Sequence, residues 1–226
     1  MALQIPSLLS HDQVMHFRHA LKVARWIDGA ATAGHLSRNV KRNRQLAERD
    51  PIALDLGNII LDTLERHAVF MSYALPARIV PPLFNAHRGG EEYGRHIDGA
   101  VRPVPGHSTR IRTDLSCTLF LSEPHEYDGG ELIIEECREA QSFKPPAGTL
   151  VLYPSGAVHR VAPVTRGERI ASFFWAQSMV RRIDQRTLLF ELDQSVQQVR
   201  LAVPDAPFLV DLTAHYHTLL RMWSEV

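Results

Sequence analysis

Apolar residues recur along this chain with two rhythms, and each predicts a different kind of element. Near the N-terminus Val14, Phe17, Leu21 and Ala24 fall three or four residues apart, the spacing of one face of an α-helix. Ser10-His11-Asp12-Gln13 precedes them as a capping box, in which the serine hydroxyl and the glutamine amide each satisfy a backbone N–H of the first turn. The helix is expected to end near Trp26, before the small residues from Gly29 to Gly34. Pro51 suits the first turn of a second helix, with apolar positions Leu54, Ile59, Leu61 and Leu64 and an end near His67.

After Arg78 the rhythm shortens. Leu115 to Leu121, Leu132-Ile133-Ile134, Leu150 to Tyr153, Val158 to Val161 and Arg169 to Trp175 are short β-like runs. They are punctuated by Tyr127-Asp128-Gly129-Gly130, Pro145-Pro146-Ala147-Gly148 and Thr165-Arg166-Gly167-Glu168. Many short strands at this spacing predict a sandwich or barrel, and a jelly roll is favoured because its inward residues can line the mouth of a ligand site. Helical spacing returns after Met179. Leu188, Leu189, Leu192, Val196 and Val199 form one stripe, stopped by Pro204, and Leu209, Leu212, Tyr216, Leu219, Leu220 and Trp223 form another. Those stripes need a cover, either the barrel or a second copy of the chain, so a homo-oligomer is open. The fold class expected is α+β with a mainly β core. Residues 1–77 form an N-terminal helical segment, 78–178 the jelly roll, and 179–226 a C-terminal helical segment.

Charge and cysteine content narrow the function classes. Lys plus Arg equals Asp plus Glu, 25 each, so no basic excess points to nucleic acid or a membrane surface. Arg38, Lys41, Arg42 and Arg44 read as a solvated loop, and His11, His16 and His19 as a solvated helix face. No apolar run approaches the ~18 residues of a membrane span, and the N-terminus lacks the pattern of a signal peptide, so the cytoplasm is expected. Cys117 and Cys137 read as free thiols.

Chemistry concentrates in a few side chains. His96 and Asp98, two apart in an extended strand, reach to the same side. His159 must join them from a distant strand. Two imidazoles and a carboxylate on one face of an octahedron leave positions open, as non-haem Fe(II) oxygenases need, whereas structural zinc prefers a closed tetrahedron. Ten residues on, Arg169 shares a strand face with Ala171, Phe173 and Trp175, where an unpaired guanidinium is costly to bury. A carboxylate ligand would satisfy its fork, and so would an internal bridge to Asp114. The segment Gly99 to Thr113 reads as a lid carrying Arg102, Arg110 and Arg112, which could meet an anionic substrate or equally belong to a solvated loop. Tyr93, Tyr153, Phe173 and Trp175 are candidates for pocket walls, with ordinary core packing the stronger expectation. His107 and His125 are expected at the surface.

These residues resemble a family. Tyr93-Gly-Arg-His-Ile-Asp98, Leu119-Phe-Leu-Ser-Glu-Pro124, Tyr127-Asp-Gly-Gly-Glu-Leu132, Leu152-Tyr-Pro-Ser155, His159-Arg-Val, Pro163-Val-Thr-Arg-Gly167 and Arg169-Ile-Ala-Ser-Phe-Phe-Trp175 are similar to Fe(II)/2-oxoglutarate-dependent dioxygenases of the prolyl-4-hydroxylase type. The chain looks closest to the bacterial PKHD-type hydroxylases, with the similarity continuing through Gln177-Ser-Met-Val180 and Gln185-Arg-Thr-Leu-Leu-Phe190. The resemblance implies a double-stranded β-helix flanked by helices, iron on His96, Asp98 and His159, the distal carboxylate of 2-oxoglutarate on Arg169, and L-ascorbate as auxiliary reductant. It implies O2 and a small molecule or peptide side chain as reactants, and a link to iron uptake. Where relatives carry a tyrosine in the cosubstrate pocket, nine residues before the first histidine, this chain has His87. Two rival readings stay open: a cupin-like metal enzyme that does not use 2-oxoglutarate, and a non-catalytic binding or sensor module on the same fold.

Overall fold

A computed structural model describes residues 2–32, 40–104, 109–135 and 139–225. After β1 (Leu3–Ile5), the capping box forms: the Ser10 amide donates to Gln13 Oε1 at 2.9 Å and the Gln13 amide to Ser10 Oγ at 3.3 Å. It starts α1 (His11–Val23), which buries Val14, Phe17 and Leu21. Trp26 then opens β2 (Trp26–Asp28) rather than closing the helix. The predicted solvated loop instead holds β3 (Lys41–Arg42) and β4 (Arg44–Leu46). Of its four cations, Lys41 is buried, Arg44 pairs with Glu168 at 2.5 Å, Arg42 pairs with Glu92, and Arg38 lies outside the described residues.

Pro51 does open α2 (Pro51–Glu65), capped by the Asp50 carboxylate. Its buried stripe is Ala53, Leu56, Ile60 and Leu64, while Leu54 faces solvent. The stripe predicted from large residues alone was therefore rotated on the helix, because Ala53 and Gly57 mark the close-packed side. A short α3 (Ala68–Ala74), unforeseen in sequence, ends at Leu75 in the left-handed region.

The β elements follow: β5 (Pro76–Ile79), β6 (Leu83–Arg88), β7 (Glu92–His96), β8 (Val101–Pro103), β9 (Arg110–Arg112), β10 (Leu115–Phe120), β11 (Tyr127–Gly129), β12 (Leu132–Glu135), β13 (Ala140–Phe143), β14 (Leu150–Pro154), β15 (Val158–Val161) and β16 (Val164–Ser178). The larger sheet runs β1-β14-β10-β16-β6-β4-β2, with β5 and β11 also on β16; the smaller runs β13-β12-β15-β7-β3, and β8 and β9 form a separate hairpin. All the pairings are antiparallel. The expected turn at Thr165 to Glu168 lies inside β16, paired with β11, and the chain reverses at Ala162-Pro163 instead. Gly167 makes that pairing feasible: at φ +72, a Cβ there would sit 2.0 Å from the Glu126 carbonyl oxygen.

Period-two alternation on β10 divides the interior. Leu115, Cys117 and Leu119 point outward beneath the helices, joining Phe17, Leu56, Ile60, Phe84 and Phe174 in the main core. Phe120 points between the sheets and packs with Leu132, Ile134, Phe143, Val151 and Tyr153. Each such fully buried side chain contributes roughly 1.5–3 kcal/mol. Ser116 and Thr118 share the inward face of Phe120 and line a cavity that Leu132 and Tyr153 of this cluster also border.

The C-terminal stripes form α4 (Ile183–Ala202) and α5 (Leu209–Trp223). Tyr216, Leu219, Leu220 and Trp223 of α5 pack on Leu75, Val180 and Leu189. Leu188, assigned to the inner stripe in sequence, is 49% exposed. Among the described residues, the segment 1–77 carries strands as well as α1, α2 and α3, so it extends both sheets rather than only covering them. No helix among the described residues is long and apolar enough to cross a membrane.

Candidate metal centre

β7 and β15 are neighbours in the smaller sheet, and their pairing sets His96 directly opposite His159. Asp98 follows two residues after His96. One ligand atom from each of the three lies within 4.8 Å of the other two. The Asp98 carboxylate reaches both imidazoles, 3.9 Å from His96 Nε2 and 3.7 Å from His159 Nε2.

Backbone carbonyls fix which nitrogen is presented. His96 Nδ1 lies 2.7 Å from the Gly94 oxygen, and His159 Nδ1 lies 3.0 Å from the Ala157 oxygen. A carbonyl only accepts, so both rings carry their proton on Nδ1 and offer the Nε2 lone pair. Burial, and then the neighbouring His159, hold the His96 imidazole down to about 4, so it is neutral at physiological pH, the form that ligates metals. Tyr93 stacks on His96 with ring centroids 3.6 Å apart, and Tyr153 packs edge-on against His159 at 4.9 Å. Ser116 donates to Asp98 Oδ2 at 2.5 Å and sits 2.9 Å from the Ser155 hydroxyl, which orients the carboxylate.

Arg169 opens onto the same cavity, which has a volume of about 1220 Å³. Its side chain is 1% exposed, and Nε, Nη1 and Nη2 all lack a hydrogen-bond partner. Burial disfavours the charge; the Tyr127 hydroxyl favours it without meeting it in a hydrogen bond of standard geometry. The Phe120 ring, 4.8 Å from the guanidinium carbon, is its clearest favourable neighbour. Asp114, the internal partner weighed from sequence, is committed to Arg112 at 2.7 Å and to the Ser178 amide at 2.8 Å. A buried guanidinium with three open nitrogens fits a bidentate anion.

His87 is the register partner of Arg169 across β6 and β16 and is fully buried. Burial first, then Arg169, keeps it neutral. Asn43 Nδ2 lies 3.1 Å from His87 Nε2, and an amide nitrogen only donates, so the proton sits on Nδ1. That Nδ1 has no partner. His87 is thus a second orphaned donor, on a ladder rung shared with Arg169.

Of the predicted lid arginines only Arg102 lines the cavity, its guanidinium 3.9 Å over the Trp175 ring. Arg110 is exposed, and Arg112 is bound to Asp114, Glu225 and the Ser178 carbonyl. The lid is a β8–β9 hairpin, with 105–108, including His107, outside the described residues. Tyr93, Tyr153, Phe173 and Trp175, for which core packing was the stronger expectation, all line the cavity. His125 and the three histidines of α1 are exposed, as expected. Cys117 is a free thiol in the core, where burial pushes its pKa up, and Cys137 is outside the described residues. Lys41, expected in a solvated loop, and Ser116, not singled out in the sequence, also line the cavity. For Ser116 a signal existed: Ser116 and Thr118 interrupt the run Leu115 to Leu121 at every second position, marking a polar inward face.

Residues 82–177 match the 2OG-Fe(II) oxygenase superfamily, and residues 184–225 match the PKHD-type hydroxylase C-terminal domain. The chain is 53% identical to a PKHD-type hydroxylase of Herminiimonas arsenicoxydans, over 99% of its own length and all of that protein. It is also 53% identical, over the whole of both chains, to the PKHD-type hydroxylase PiuC of Pseudomonas aeruginosa. A prolyl hydroxylase from Trichoplax adhaerens, solved with a hypoxia inducible factor oxygen degradation domain peptide fragment, superposes with a TM-score of 0.57 at 16% identity, covering 78% of this chain and 83% of that one. That likeness is one of fold, a double-stranded β-helix.

Proposed function

Because the chain belongs to the PKHD-type hydroxylases, within the Fe(II)- and 2-oxoglutarate-dependent oxygenases, we propose that His96, Asp98 and His159 are its iron ligands and that Arg169 anchors the distal carboxylate of 2-oxoglutarate. The observation that carries this reading is the Arg169 guanidinium, 1% exposed and unpartnered at three nitrogens, in one cavity with the converging triad. The residues fit the cofactors: two imidazoles whose Nδ1 is turned to a backbone carbonyl and whose Nε2 faces the centre, one carboxylate oriented by Ser116, and a buried cation awaiting an anion. Bound together, iron and 2-oxoglutarate supply the oxidising power that converts a C–H bond to C–OH, using O2 and releasing succinate and carbon dioxide.

The protein's own part is positional. Arg169 takes one or both oxygens of the distal carboxylate, and His87 adds a neutral donor through Nδ1. The Tyr93 and Tyr153 rings hold the two imidazoles in their rotamers by packing and keep water from their faces. No side chain is needed as a general acid or base. The unit that does this is residues 78–178, with 1–77 and 179–226 flanking it.

The substrate is a small molecule or a peptide side chain, and the physiological role is iron uptake or homeostasis, as the family resemblance implies. L-Ascorbate serves as auxiliary reductant, and a reducing compartment, the cytoplasm, suits a ferrous site. Apolar side chains left bare on α4 and α5, among them Leu188, Leu201, Val210 and Met222, fit a homo-oligomer.

Anaerobic titration of the Fe(II) protein with 2-oxoglutarate tests the reading. A visible charge-transfer band is expected, and it should be absent in His159→Ala. Iron-loaded protein that gives no band would refute the use of 2-oxoglutarate and favour a cupin-like enzyme. A band without succinate formation, with any candidate substrate or none, would favour a binding module.

A further inference from the structure

The cavity holds more positive charge than iron and cosubstrate can use. In the reading above, on which this inference rests, a ferrous ion, the Asp98 carboxylate, the two carboxylates of 2-oxoglutarate and the Arg169 guanidinium cancel. Among the described residues of the cavity wall, Lys41 and Arg102 are then set against Glu48, with Asp28 also favouring the Lys41 charge, since Arg95 is committed to Glu135 at 2.7 Å. Both cations are placed at a cost. Lys41 is 6% exposed, held by Gln45 Oε1 at 2.9 Å, with its ammonium 5.6 Å from the ring centroids of Tyr93 and Phe173. Arg102 is half-buried, flat against Trp175, and its Nε is buried without a hydrogen-bond partner. Burial, then Arg102, lowers Lys41 to about 8, so the two cations feel each other and an anion between them would relieve both. The cavity, about 1220 Å³, is far above the ~300 Å³ lower end for ligand pockets, so space remains beside a five-carbon diacid.

We infer that the molecule hydroxylated here carries an oxyanion, a carboxylate or a chemically similar group, bound between Arg102 and Lys41, with its apolar or aromatic body against Trp175 and Phe173. Arg102 supplies a planar fork and Lys41 a point charge, a pair suited to an oxygen anion on a flat body. Arg102 rides on the β8–β9 hairpin and Lys41 on β3, so the binding group bridges the lid and the fixed wall.

The test uses the Fe(II)- and 2-oxoglutarate-loaded protein under nitrogen, with benzoate and its neutral isostere benzamide as probes in equilibrium dialysis. Benzoate is expected to be retained about tenfold or more tightly than benzamide, as a charge-assisted hydrogen bond gives. Arg102→Gln should abolish that preference, and Arg102→Lys should restore part of it. Arg110→Gln, on the same hairpin but outside the cavity, should keep it in full. Equal retention of both probes, retention of neither, or a preference undiminished in Arg102→Gln overturns the inference. The charge-transfer band read in the same cells separates the two claims. Without the band in the unaltered protein both fall; with the band and no probe discrimination only this one does.

Discussion

His96 and His159 are direct cross-strand partners, and each carries its proton on the nitrogen turned to the carbonyl two residues before it. The ladder therefore sets both the separation of the rings and the lone pairs they present. The third donor is held differently: Asp98 lies beyond the end of β7 and takes its orientation from Ser116 on the opposite sheet.

Ser116→Ala should consequently weaken iron binding by about 10- to 100-fold, as loss of a partner that orients a metal ligand does, while leaving the fold intact. Competitive titration of the anaerobic protein against a metallochromic chelator measures this. Unchanged affinity would mean that Asp98 is held by the backbone alone. His159→Ala should bind no iron at a one-to-one ratio.

Arg169→Ala should raise the 2-oxoglutarate requirement about 30- to 5000-fold, the equivalent of losing a buried charged pair worth roughly 2–5 kcal/mol. Arg169→Met should show the opposite face of the same burial. Without cosubstrate it removes an unpaired interior charge, so its melting temperature should exceed that of the unaltered protein. A lower Tm would show that the guanidinium is satisfied in the free protein.

Lys41 gives a prediction with a definite pH window. Asp98 and Asp28 favour its charge, but burial and Arg102 outweigh them and lower its pKa from 10.5 to about 8. Below pH 8 the lysine is protonated in folded and unfolded chains alike, and the full penalty of about 3 kcal/mol is present. Between about 8 and 10.5 the unfolded chain binds more protons, so stability rises with pH as the penalty fades. In metal-free protein Lys41→Met should therefore stabilise at pH 7 by about 2 kcal/mol, allowing ~1 kcal/mol for the lost hydrogen bond to Gln45. That advantage should disappear above pH 10.5. Urea melts of both proteins across this range check it, and a pH-independent difference would contradict it.

Arg112, one of the lid arginines that could have met a substrate or solvent, is instead a tie between the lid hairpin, β16 and the last described residues of the chain, through Asp114, the Ser178 carbonyl and Glu225. Arg112→Ala should cost about 1–3 kcal/mol of stability, seen as a lower Tm, and leave the 2-oxoglutarate charge-transfer band as it was. A lost band with an unchanged Tm would return Arg112 to the site.

Much of this was legible in the chain because it depends on local spacing. The capping box, Pro51 and the two-residue step from His96 to Asp98 are short-range statements, and the main strand runs stand out as short apolar stretches between turn signals. What depended on tertiary partners was not legible. The side of α2 that packs is marked by Ala53 and Gly57, which look unremarkable beside Leu54 and Leu61. The Gly167 stretch has turn composition, yet β11 draws it into a strand. Lys41 sits among arginines in a polar stretch, and only its pairing with Tyr93 carries it into the cavity. Arg112 differs from Arg102 by the far-off Glu225, which no motif announces.

Residues 41–46 touch both halves of the sandwich: Lys41 and Arg42 are laced to β7, and Arg44 and Gln45 to β6. A polypeptide trimmed to 78–178 would keep every residue assigned to iron and cosubstrate but leave three raw β edges, on β6, β7 and β14, and uncover the aromatic floor around Phe84 that α1 shields with Phe17. Such a fragment should precipitate rather than turn over, and the first third of the chain is in that sense a rivet holding the mouth of the site in shape.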